Sequence, residues 1–484
     1  MRYFILFIIL FFTGQLQAQN GISWNMSSDV YTGTYGNAYP RMAVNGSGNP
    51  VLVWGDMTNQ SVYFSRWTGS SFSAPLKLNP SWLSVASASW MGPDIVAKGD
   101  TIYVVVKRIP ETADTNRIFI IRSFNGGLTF DPPVELAFIA NNFSRFPTVA
   151  IDVSGNPLVA YMKFDPSFMN SHWVVTRSSD LGNTFTPEVI ASGYSGMGAE
   201  ACDCCPGALV SGGSTLAMLY RDNLNDIRDI WTGISTDNGA SFPSGFEADD
   251  SNWPVMSCPA SGPDGVIIGD TLYTTFMSAG TGNYRTFLSR SSLGSGALIT
   301  KNNLTGPIAG LSQQNYPRIA ADGKAMAIVW KQTVSSLAQV ALLFTTDIAA
   351  GLPSKNDTVD LANVTNTDVV LSNGNIFVIW QDDQSKTVKY RHGTYTPAVS
   401  VQRPDEPELG LYPNPAINKI RVEVPVSGHY GQIMIFDVFG KVMATGVIGE
   451  EGGATLDIGS FSPGIYFVRF EKNGLIFTNK FIKK

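Results

Sequence analysis

The sequence of 484 residues predicts an all-β fold, a β-propeller followed by a small C-terminal β-sandwich. One short pattern recurs about every 54 residues between positions 39 and 397, which is the mark of a repeat fold. Glycine and proline are frequent and no long segment has helical periodicity. The pattern then changes near position 402. Short strands and turns repeating at a fixed period indicate propeller blades, which cannot bury their faces singly.

Each repeat opens with a strand that begins beside a proline, and a second apolar strand follows after a polar turn. The seven openings are Tyr39-Pro40-Arg41, Gly92-Pro93-Asp94, Phe146-Pro147-Thr148, Cys205-Pro206-Gly207, Gly262-Pro263-Asp264, Tyr316-Pro317-Arg318 and a degenerate Thr367-Asp368-Val369. Seven repeats favour seven blades. The segment from Ile22 to Ala38 precedes the first repeat, and we expect it to supply the strand that completes the short last repeat and closes the ring.

Three repeats carry a second pattern, Ser-x-Asp-x-Gly-x-Thr-aromatic, with Asn for Asp and Ser for Thr allowed. The segments are Ser123–Phe130, Ser178–Phe185 and Ser235–Phe242. The acidic or amide side chain suits a turn because it bonds the turn backbone, and glycine supplies a positive φ. The pattern resembles the Asp-box, or BNR repeat, of the sialidase-like propellers. The resemblance implies that the boxes lie between outer strands, away from the active site, and it leaves the six blades of sialidases as the alternative to seven.

Export is predicted by both ends of the chain. Residues 1–18, with Arg2, an apolar run and Leu16-Gln17-Ala18, are typical of a signal peptide, which leaves a propeller over 19–402. No later stretch is long enough for a membrane helix. The net charge of −6 and the absence of basic clusters argue against nucleic acid as a partner.

A charged linker over 403–410 precedes a different C-terminal domain. The motifs Leu411–Pro415, Ile433–Lys441 and Gly464–Arg469 resemble the type A sorting domain of the type IX secretion system over 411–484. The resemblance implies a small β-sandwich that serves as an export address for the secretion machinery. It also implies a Gram-negative host of the Bacteroidetes type, with the protein secreted or held at the outer-membrane surface. An ordinary adhesive β-domain is the alternative.

Three of the four cysteines, Cys202, Cys204 and Cys205, are clustered, and Cys258 follows one repeat later. Because a bond between adjacent cysteines is strained, we expect one of the three to pair with Cys258 and the other two to close a tight loop. Disulfides suit an exported protein. A thiolate site for a soft metal is the alternative. The three histidines argue against a His-rich metal centre, and we expect no resident metal or cofactor.

Polar residues crowd the same neighbourhood: Arg221, Asp222, Arg228, Asp229 and Trp253. The Cys-Asp-Cys-Cys-Pro, Arg-Asp and Cys-Pro string resembles one in uncharacterised bacterial sialidase-like proteins, which locates a site without naming a reaction. These residues are predicted to bind ligand on loops at the propeller mouth. In the alternative interpretation the disulfides hold a long insertion and the Arg-Asp pairs are structural.

The residue after each proline should occupy one place on every first strand. The resulting ring is Arg41, Asp94, Thr148, Gly207, Asp264, Arg318 and Asp368, in which each arginine has acidic neighbours on both sides. If these side chains face the central channel, they form a polar mouth that would bind an anionic or sugar ligand through bidentate guanidinium hydrogen bonds. Alternatively the ring pairs with itself and fixes the register between blades.

The resemblance to sialidases implies three arginines on a substrate carboxylate, an Asp acid/base and a Tyr nucleophile supported by Glu. The candidates for such catalysis are Arg41, Arg221, Arg228, Arg318, Asp94 and Asp264. The family's Arg-Ile-Pro opening is replaced by Pro40-Arg41-Met42, and the literal Arg108-Ile109-Pro110 falls after a second strand. We therefore expect a surface or secreted propeller that binds an extracellular glycan. The alternatives are an exo-sialidase-type glycoside hydrolase and an unrelated activity on the same fold.

Overall fold

The computed structural model describes residues 21–112, 116–136, 142–398, 409–424, 431–448, 452–472 and 475–484. The chain divides into two compact units, Met1–Ala398 and Val399–Lys484. The expected signal peptide, 1–18, and most of the expected linker, 403–410, lie outside the described residues. Regular structure in the described residues is almost entirely β-strand, which confirms the all-β prediction. Among these residues no helix is long and apolar enough to cross a membrane.

The first unit consists of short antiparallel sheets, preceded by β1 (Ser23–Trp24) and β2 (Ser28–Asp29). Sheet 1 contains β3 (Ala38–Val44), β4 (Pro50–Asp56), β5 (Ser61–Arg66) and β6 (Leu76–Lys77). Sheet 2 contains β7 (Asp94–Lys98), β8 (Thr101–Lys107), β9 (Ile118–Ser123) and β10 (Val134–Glu135). Sheet 3 contains β11 (Phe143–Ile151), β12 (Pro157–Phe164), β13 (His172–Arg177) and β14 (Val189–Ile190).

Sheet 4 adds a short strand to this plan. It contains β15 (Glu200–Ala201), β16 (Ala208–Gly212), β17 (Thr215–Asn223), β18 (Ile230–Ser235) and β19 (Ser244–Glu247). Sheet 5 contains β20 (Asp264–Ile268), β21 (Thr271–Ser278), β22 (Arg285–Ser292) and β23 (Ala297–Asn303). Sheet 6 contains β24 (Leu311–Asp322), β25 (Ala325–Val334), β26 (Leu337–Thr345), a 3-10 helix (Ile348–Ala350) and β27 (Asp357–Leu361). Sheet 7 contains β28 (Val364–Ser372), β29 (Asn375–Asp382) and β30 (Val388–Thr394).

The seven described sheets pack around a common axis. Their first strands, β3, β7, β11, β16, β20, β24 and β28, touch one another in this order, and β28 touches β3 again. Strands β1 and β2 pair with β30, so the N-terminal segment completes sheet 7 as the sequence predicted. An edge that would otherwise be open is thereby covered.

The sheets are held together by apolar side chains at the ends of their second strands. Trp54, Trp330 and Trp380 are at most 2% exposed and pack into the clusters between sheets. Burying an aromatic side chain of this size removes a large apolar area from water. These tryptophans therefore belong to the core and leave no ring surface for a ligand.

The segments of the repeated Ser-x-Asp-x-Gly pattern connect third and fourth strands. In the turn after β13, Asp180 Oδ1 accepts hydrogen bonds from the backbone N–H groups of Asn183 and Thr184, at 3.0 and 2.9 Å. Gly182 has φ +83°, in the left-handed region that favours glycine. The turn therefore has the predicted geometry: an acidic side chain accepts hydrogen bonds from the turn backbone, and a glycine has a positive φ.

The second unit has two sheets. One contains β31 (Gly410–Tyr412), β32 (Lys419–Glu423) and β35 (Gly453–Asp457). The other contains β33 (Gly431–Phe436), β34 (Val442–Ile448), β36 (Gly464–Lys472) and β37 (Leu475–Lys483). Side chains of both sheets, such as Ile420, Val422, Ile433 and Val468, are fully buried in one core. The unit is therefore a β-sandwich, as predicted.

Candidate functional site

The topology places the ring residues and the cysteines at one end of the propeller. Adjacent strands within a sheet are antiparallel, so the loops between second and third strands lie at the same end as the connections that enter each first strand. We call this end the mouth. It carries the prolines of the repeats near the start of the first strands, and both segments that contain cysteine.

A backbone irregularity shapes the mouth in several sheets. The pairing register shifts near the start of β3, β11, β24 and β28. At these points Tyr39, Phe146 and Tyr316 have φ +53° and Asn366 has φ +55°. A positive φ is unfavourable for residues with a Cβ, so the packing around these bulges must hold the conformation. Tyr39, Tyr316 and Asn366 thereby line a pocket in the mouth.

The three ring aspartates link neighbouring sheets. Asp94 Oδ2 accepts the N–H of Val149 at 3.1 Å, and Asp264 Oδ2 accepts that of Ile319 at 2.9 Å. Asp368 Oδ2 accepts the N–H of Met42 at 2.7 Å. Each carboxylate thus reaches the first strand of the next sheet, which supports the expectation that the ring fixes the register between sheets.

Arg318 lies between two of these carboxylates. Its Nε is 3.3 Å from both Asp264 Oδ2 and Asp368 Oδ1. Burial alone lowers the pKa of Arg318, but the two carboxylates outweigh it and hold that pKa above its ordinary value. Burial also raises the pKa of Asp264, although Arg318 opposes the shift. The charge of Arg318 is therefore balanced within the protein.

Arg41 differs from Arg318. Its guanidinium carbon lies 3.7 Å from the centre of the Tyr39 ring, and Nη1 donates to the carbonyl oxygen of Pro40 at 2.7 Å. No described carboxylate lies within 4.0 Å of this guanidinium. Arg41 is only 5% exposed, yet it lines the mouth pocket. Asp94 lines a neighbouring pocket with Arg41 but makes no direct ion pair with it, so the guanidinium is suited to bind a further anion.

The mouth pocket is small and mostly polar. Its other wall includes Ser89, Trp90, Pro206 and Gly207. The free volume is about 20 Å³, enough for a group the size of one or two waters. The Trp90 side chain is 39% exposed at the rim. The arrangement can hold a small charged group inside and a larger apolar face outside.

The cysteine cluster lies beside the pocket. Cys204 and Cys258 form a disulfide, so one clustered cysteine reaches Cys258 as expected. Cys202 and Cys205 are free and buried, with their sulfurs 3.2 Å apart. The expected bond within the cluster is therefore absent from this structure, although the two thiols are neighbours. Because Cys204 is in a disulfide, the three-thiolate metal set of the alternative interpretation is incomplete.

Arg221 and Trp253 lie beneath the cysteines. Arg221 is 1% exposed and its Nη atoms donate to the backbone oxygens of Arg228 and Met277, both at 2.7 Å. Its Nε and Nη2 also donate to the oxygen of Ser261 at 3.2 Å. The guanidinium stacks on Trp253, which is itself buried. Both side chains stabilise the segment that leads into the first strand of sheet 5, and neither lines the pocket.

Arg228, Asp222 and Asp229 are also buried. Arg228 Nη1 donates to the sulfur of Cys202 at 3.0 Å. Asp222 accepts a hydrogen bond from Ser195 Oγ at 2.6 Å, and Asp229 from the backbone N–H of Trp253 at 3.1 Å. Burial raises the pKa of each of these carboxyls to about 7. Repulsion from nearby carboxylates adds to both shifts. These residues therefore form a buried polar layer behind the cysteines.

Sequence reasoning missed several residues at the mouth. Tyr39, Tyr316 and Trp90 line the pocket. The two tyrosines precede the proline of their repeats, a position that could have been superposed in the same way as the one after the proline. It also missed a cleft of about 840 Å³ between sheets 5 and 6, lined by Tyr273, Arg290 and other residues. No repeat signal marks that cleft.

Comparisons with known proteins identify the C-terminal unit and the fold of the first. Residues 410–484 match the family described as the secretion system C-terminal sorting domain. An ulvan lyase bound to a GlcA(1-4)Rha3S unit is similar over 74% of this chain and 94% of its own, at 10% identity and a TM-score of 0.50. The chain matches no curated protein.

Two further solved structures are less similar. A Dyadobacter fermentans protein of unknown function is 12% identical over 78% of this chain and 100% of its own, with a TM-score of 0.44. A Fusarium graminearum α-L-arabinofuranosidase is 13% identical over 68% of this chain and 99% of its own, with a TM-score of 0.48. At these identities the likeness concerns the fold. Residues 410–484 belong to the secretion system C-terminal sorting domains, and their presence indicates secretion by the type IX system to the cell surface or medium.

Proposed function

We propose that the exported propeller binds an acidic extracellular glycan at its mouth, and that a carboxylate or sulfate of the glycan contacts Arg41. The observation that carries the proposal is the contrast between two arginines of one pocket. Arg318 lies 3.3 Å from both Asp264 and Asp368, whereas no described carboxylate lies within 4.0 Å of the Arg41 guanidinium. A ligand anion would supply the missing counter-charge through charge-assisted hydrogen bonds.

The size of the pocket restricts what enters it. A free volume of about 20 Å³ takes a charged substituent but no sugar ring. The ring would therefore lie at the rim, where Trp90 is partly exposed beside Arg145 and Phe146. Sugars pack their apolar faces on such rings. An acidic sugar at the end of a chain fits both features.

The fold and the repeats are consistent with a glycan ligand. The ulvan lyase of similar fold is bound to a unit that contains a uronic acid and a sulfated sugar. The Ser-x-Asp-x-Gly turns support the proposed relationship to sialidase-like propellers. Fold likeness does not fix function, so the weight rests on Arg41 and Trp90.

Hydrolysis of the sialidase type is the second candidate, favoured by the convergence of Arg41, Arg318 and two tyrosines in one pocket. Several observations favour binding instead. Tyr39 is covered by Arg41, and burial raises the pKa of Tyr316, which makes it a weaker nucleophile. No glutamate lines the pocket among the described residues. Arg221 is committed to backbone oxygens.

Binding of the mature chain to oligosaccharides that end in sialic acid, glucuronate or a sulfated sugar tests the proposal, with neutral counterparts alongside. We expect acidic ligands to bind more tightly and Arg41→Ala to weaken them at least about tenfold, the value of one charge-assisted hydrogen bond. Trp90→Ala should weaken acidic and neutral ligands alike.

Arg177→Ala is the matched control, because Arg177 ends β13 at the opposite end of the sheet. Equal binding of acidic and neutral ligands, or equal effects of Arg41→Ala and Arg177→Ala, would refute the proposal. Thermal unfolding of each variant checks the fold. Turnover of a fluorogenic sialoside by the same protein would favour the hydrolase instead.

A further inference from the structure

One sulfur of the cysteine cluster touches two others. The Sγ of Cys202 is 3.4 Å from that of Cys204 and 3.2 Å from that of Cys205. Cys204 is already bonded to Cys258. A free thiol is thus in contact with a disulfide on one side and with a second free thiol on the other. A thiol beside a disulfide is what thiol–disulfide exchange requires, and the second thiol can attack the new disulfide in a second step.

The environment favours Cys202 as the nucleophile. Arg228 Nη1 donates to its sulfur at 3.0 Å. The hydrogen bond with Cys205 and the charges of Arg228 and Arg221 lower the pKa of Cys202 to about 6, against the opposing effect of burial. Burial raises the pKa of Cys205. The lowered pKa favours the thiolate of Cys202 and the raised pKa favours the thiol of Cys205, and the thiolate is the reactive form.

We propose that the four cysteines form an internal thiol–disulfide exchange site, in which Cys202 attacks the Cys204–Cys258 disulfide. The Cys202 sulfur bonds to the Cys204 sulfur, the Cys204–Cys258 bond breaks, and Cys258 leaves as a thiolate that takes a proton from water. Cys205 then attacks the Cys202 sulfur. A Cys202–Cys205 bond forms, the Cys202–Cys204 bond breaks, and the proton of Cys205 passes to Cys204. The exchange conserves electrons, so no external oxidant takes part.

The two ends of the site differ in exposure. Cys202 and Cys205 are at most 1% exposed, whereas Cys258 is exposed. Exchange therefore moves the disulfide from the surface into the interior and presents Cys258 and Cys204 as a dithiol. A surface dithiol reacts with disulfides of other molecules, so the partner class is a protein or small-molecule disulfide. The exchange itself requires no bound glycan.

The same disulfide holds one wall of the mouth. Pro206 and Gly207 follow the cluster, Ala260 and Ser261 follow Cys258, and all four line the pocket. Opening the bond releases the covalent link between these two segments. Exchange would thus also change the wall of the pocket that faces Arg41.

The test uses the full mature chain brought to its two-thiol form in a glutathione buffer, with the thiol number checked by mass. The native protein is then treated with N-ethylmaleimide, quenched in acid and mapped without reduction. We expect Cys258 to be labelled, with Cys202 bonded to Cys204 or Cys205. In Cys202→Ser the Cys204–Cys258 bond should persist, and labelling of Cys258 should slow at least about tenfold.

Three further variants separate exchange from a structural effect. Cys205→Ser should still release Cys258, because only the second step needs Cys205. Arg228→Ala should slow the release about tenfold by reducing the thiolate fraction, and Arg228→Lys should restore part of it. The proposal fails if the two-thiol form keeps only the Cys204–Cys258 bond. It also fails if Cys258 is labelled as fast in Cys202→Ser as in the parent, with thermal unfolding showing that both are folded.

Discussion

Asp368 joins the last sheet of the propeller to the first, and its removal should destabilise the ring more than removal of Asp94, which has no described arginine within 4.0 Å. In Asp368→Ala the N–H of Met42 loses its acceptor, and Arg318 loses one of its two carboxylates. An unsatisfied buried donor costs about 1–3 kcal/mol. Weakening a buried ion pair adds about 1–2 kcal/mol, less than the full loss because Asp264 remains. We expect a total of about 2–5 kcal/mol.

Urea unfolding followed by tryptophan fluorescence measures this loss. Asp94→Ala is the control, because Asp94 also accepts an N–H from the next sheet, together with the Thr148 hydroxyl, but has no described arginine within 4.0 Å. It should cost about 1–3 kcal/mol. A double-mutant cycle of Asp368→Ala with Arg318→Met should give a coupling of about 1–2 kcal/mol. The reasoning is refuted if Asp368→Ala costs no more than Asp94→Ala, or if the coupling is zero.

Three other predictions concern stability. Cys258→Ser opens a loop of 54 residues and should cost about 4 kcal/mol by chain entropy, read as a lower urea midpoint than a surface Ser→Ala control. Burial raises the pKa of Asp222 and Asp229 to about 7, so the folded protein holds extra protons between about pH 4 and 7 and loses stability as the pH rises through 7. Asp222→Asn should flatten this fall between pH 5 and 8, and an unchanged slope would contradict the assignment. Deleting residues 21–30 removes β1 and β2 and exposes the edge of β30, which should lower the urea midpoint and promote association, measured by light scattering. A protein that stays monomeric and equally stable would show that the pairing of β1 and β2 with β30 is dispensable.

Much of the fold follows from periodicity. The repeated proline marks where a strand enters the ring, so the sequence alone shows which positions of the repeats are equivalent. Arg318 was expected between Asp264 and Asp368, and it contacts both. The N-terminal segment was expected to complete the last sheet, because that repeat lacked a strand, and β1 and β2 do so.

The details of the site depend on packing that no local pattern records. Trp54 and Trp90 are the same residue type, yet one is buried between sheets and the other is exposed at the pocket rim. Spacing allowed several cysteine pairings, and only the fold brings Cys204 rather than its neighbours to Cys258. Likewise the sequence shows that Arg41 and Arg318 are equivalent. It does not show that only Arg318 has carboxylates within reach.

Because β1 and β2 pair with β30, the propeller can close only after nearly all of its chain has been synthesised. Ser23 pairs with Thr394, so nearly the whole unit must be available before the circle can shut. Contacts of such long range are slow to form, because the intervening chain must first be ordered. The sorting domain begins at residue 410, directly after this point. The strand that closes the ring and the sorting domain are therefore synthesised one after the other, and a chain truncated before β30 would lack both a closed ring and the export signal.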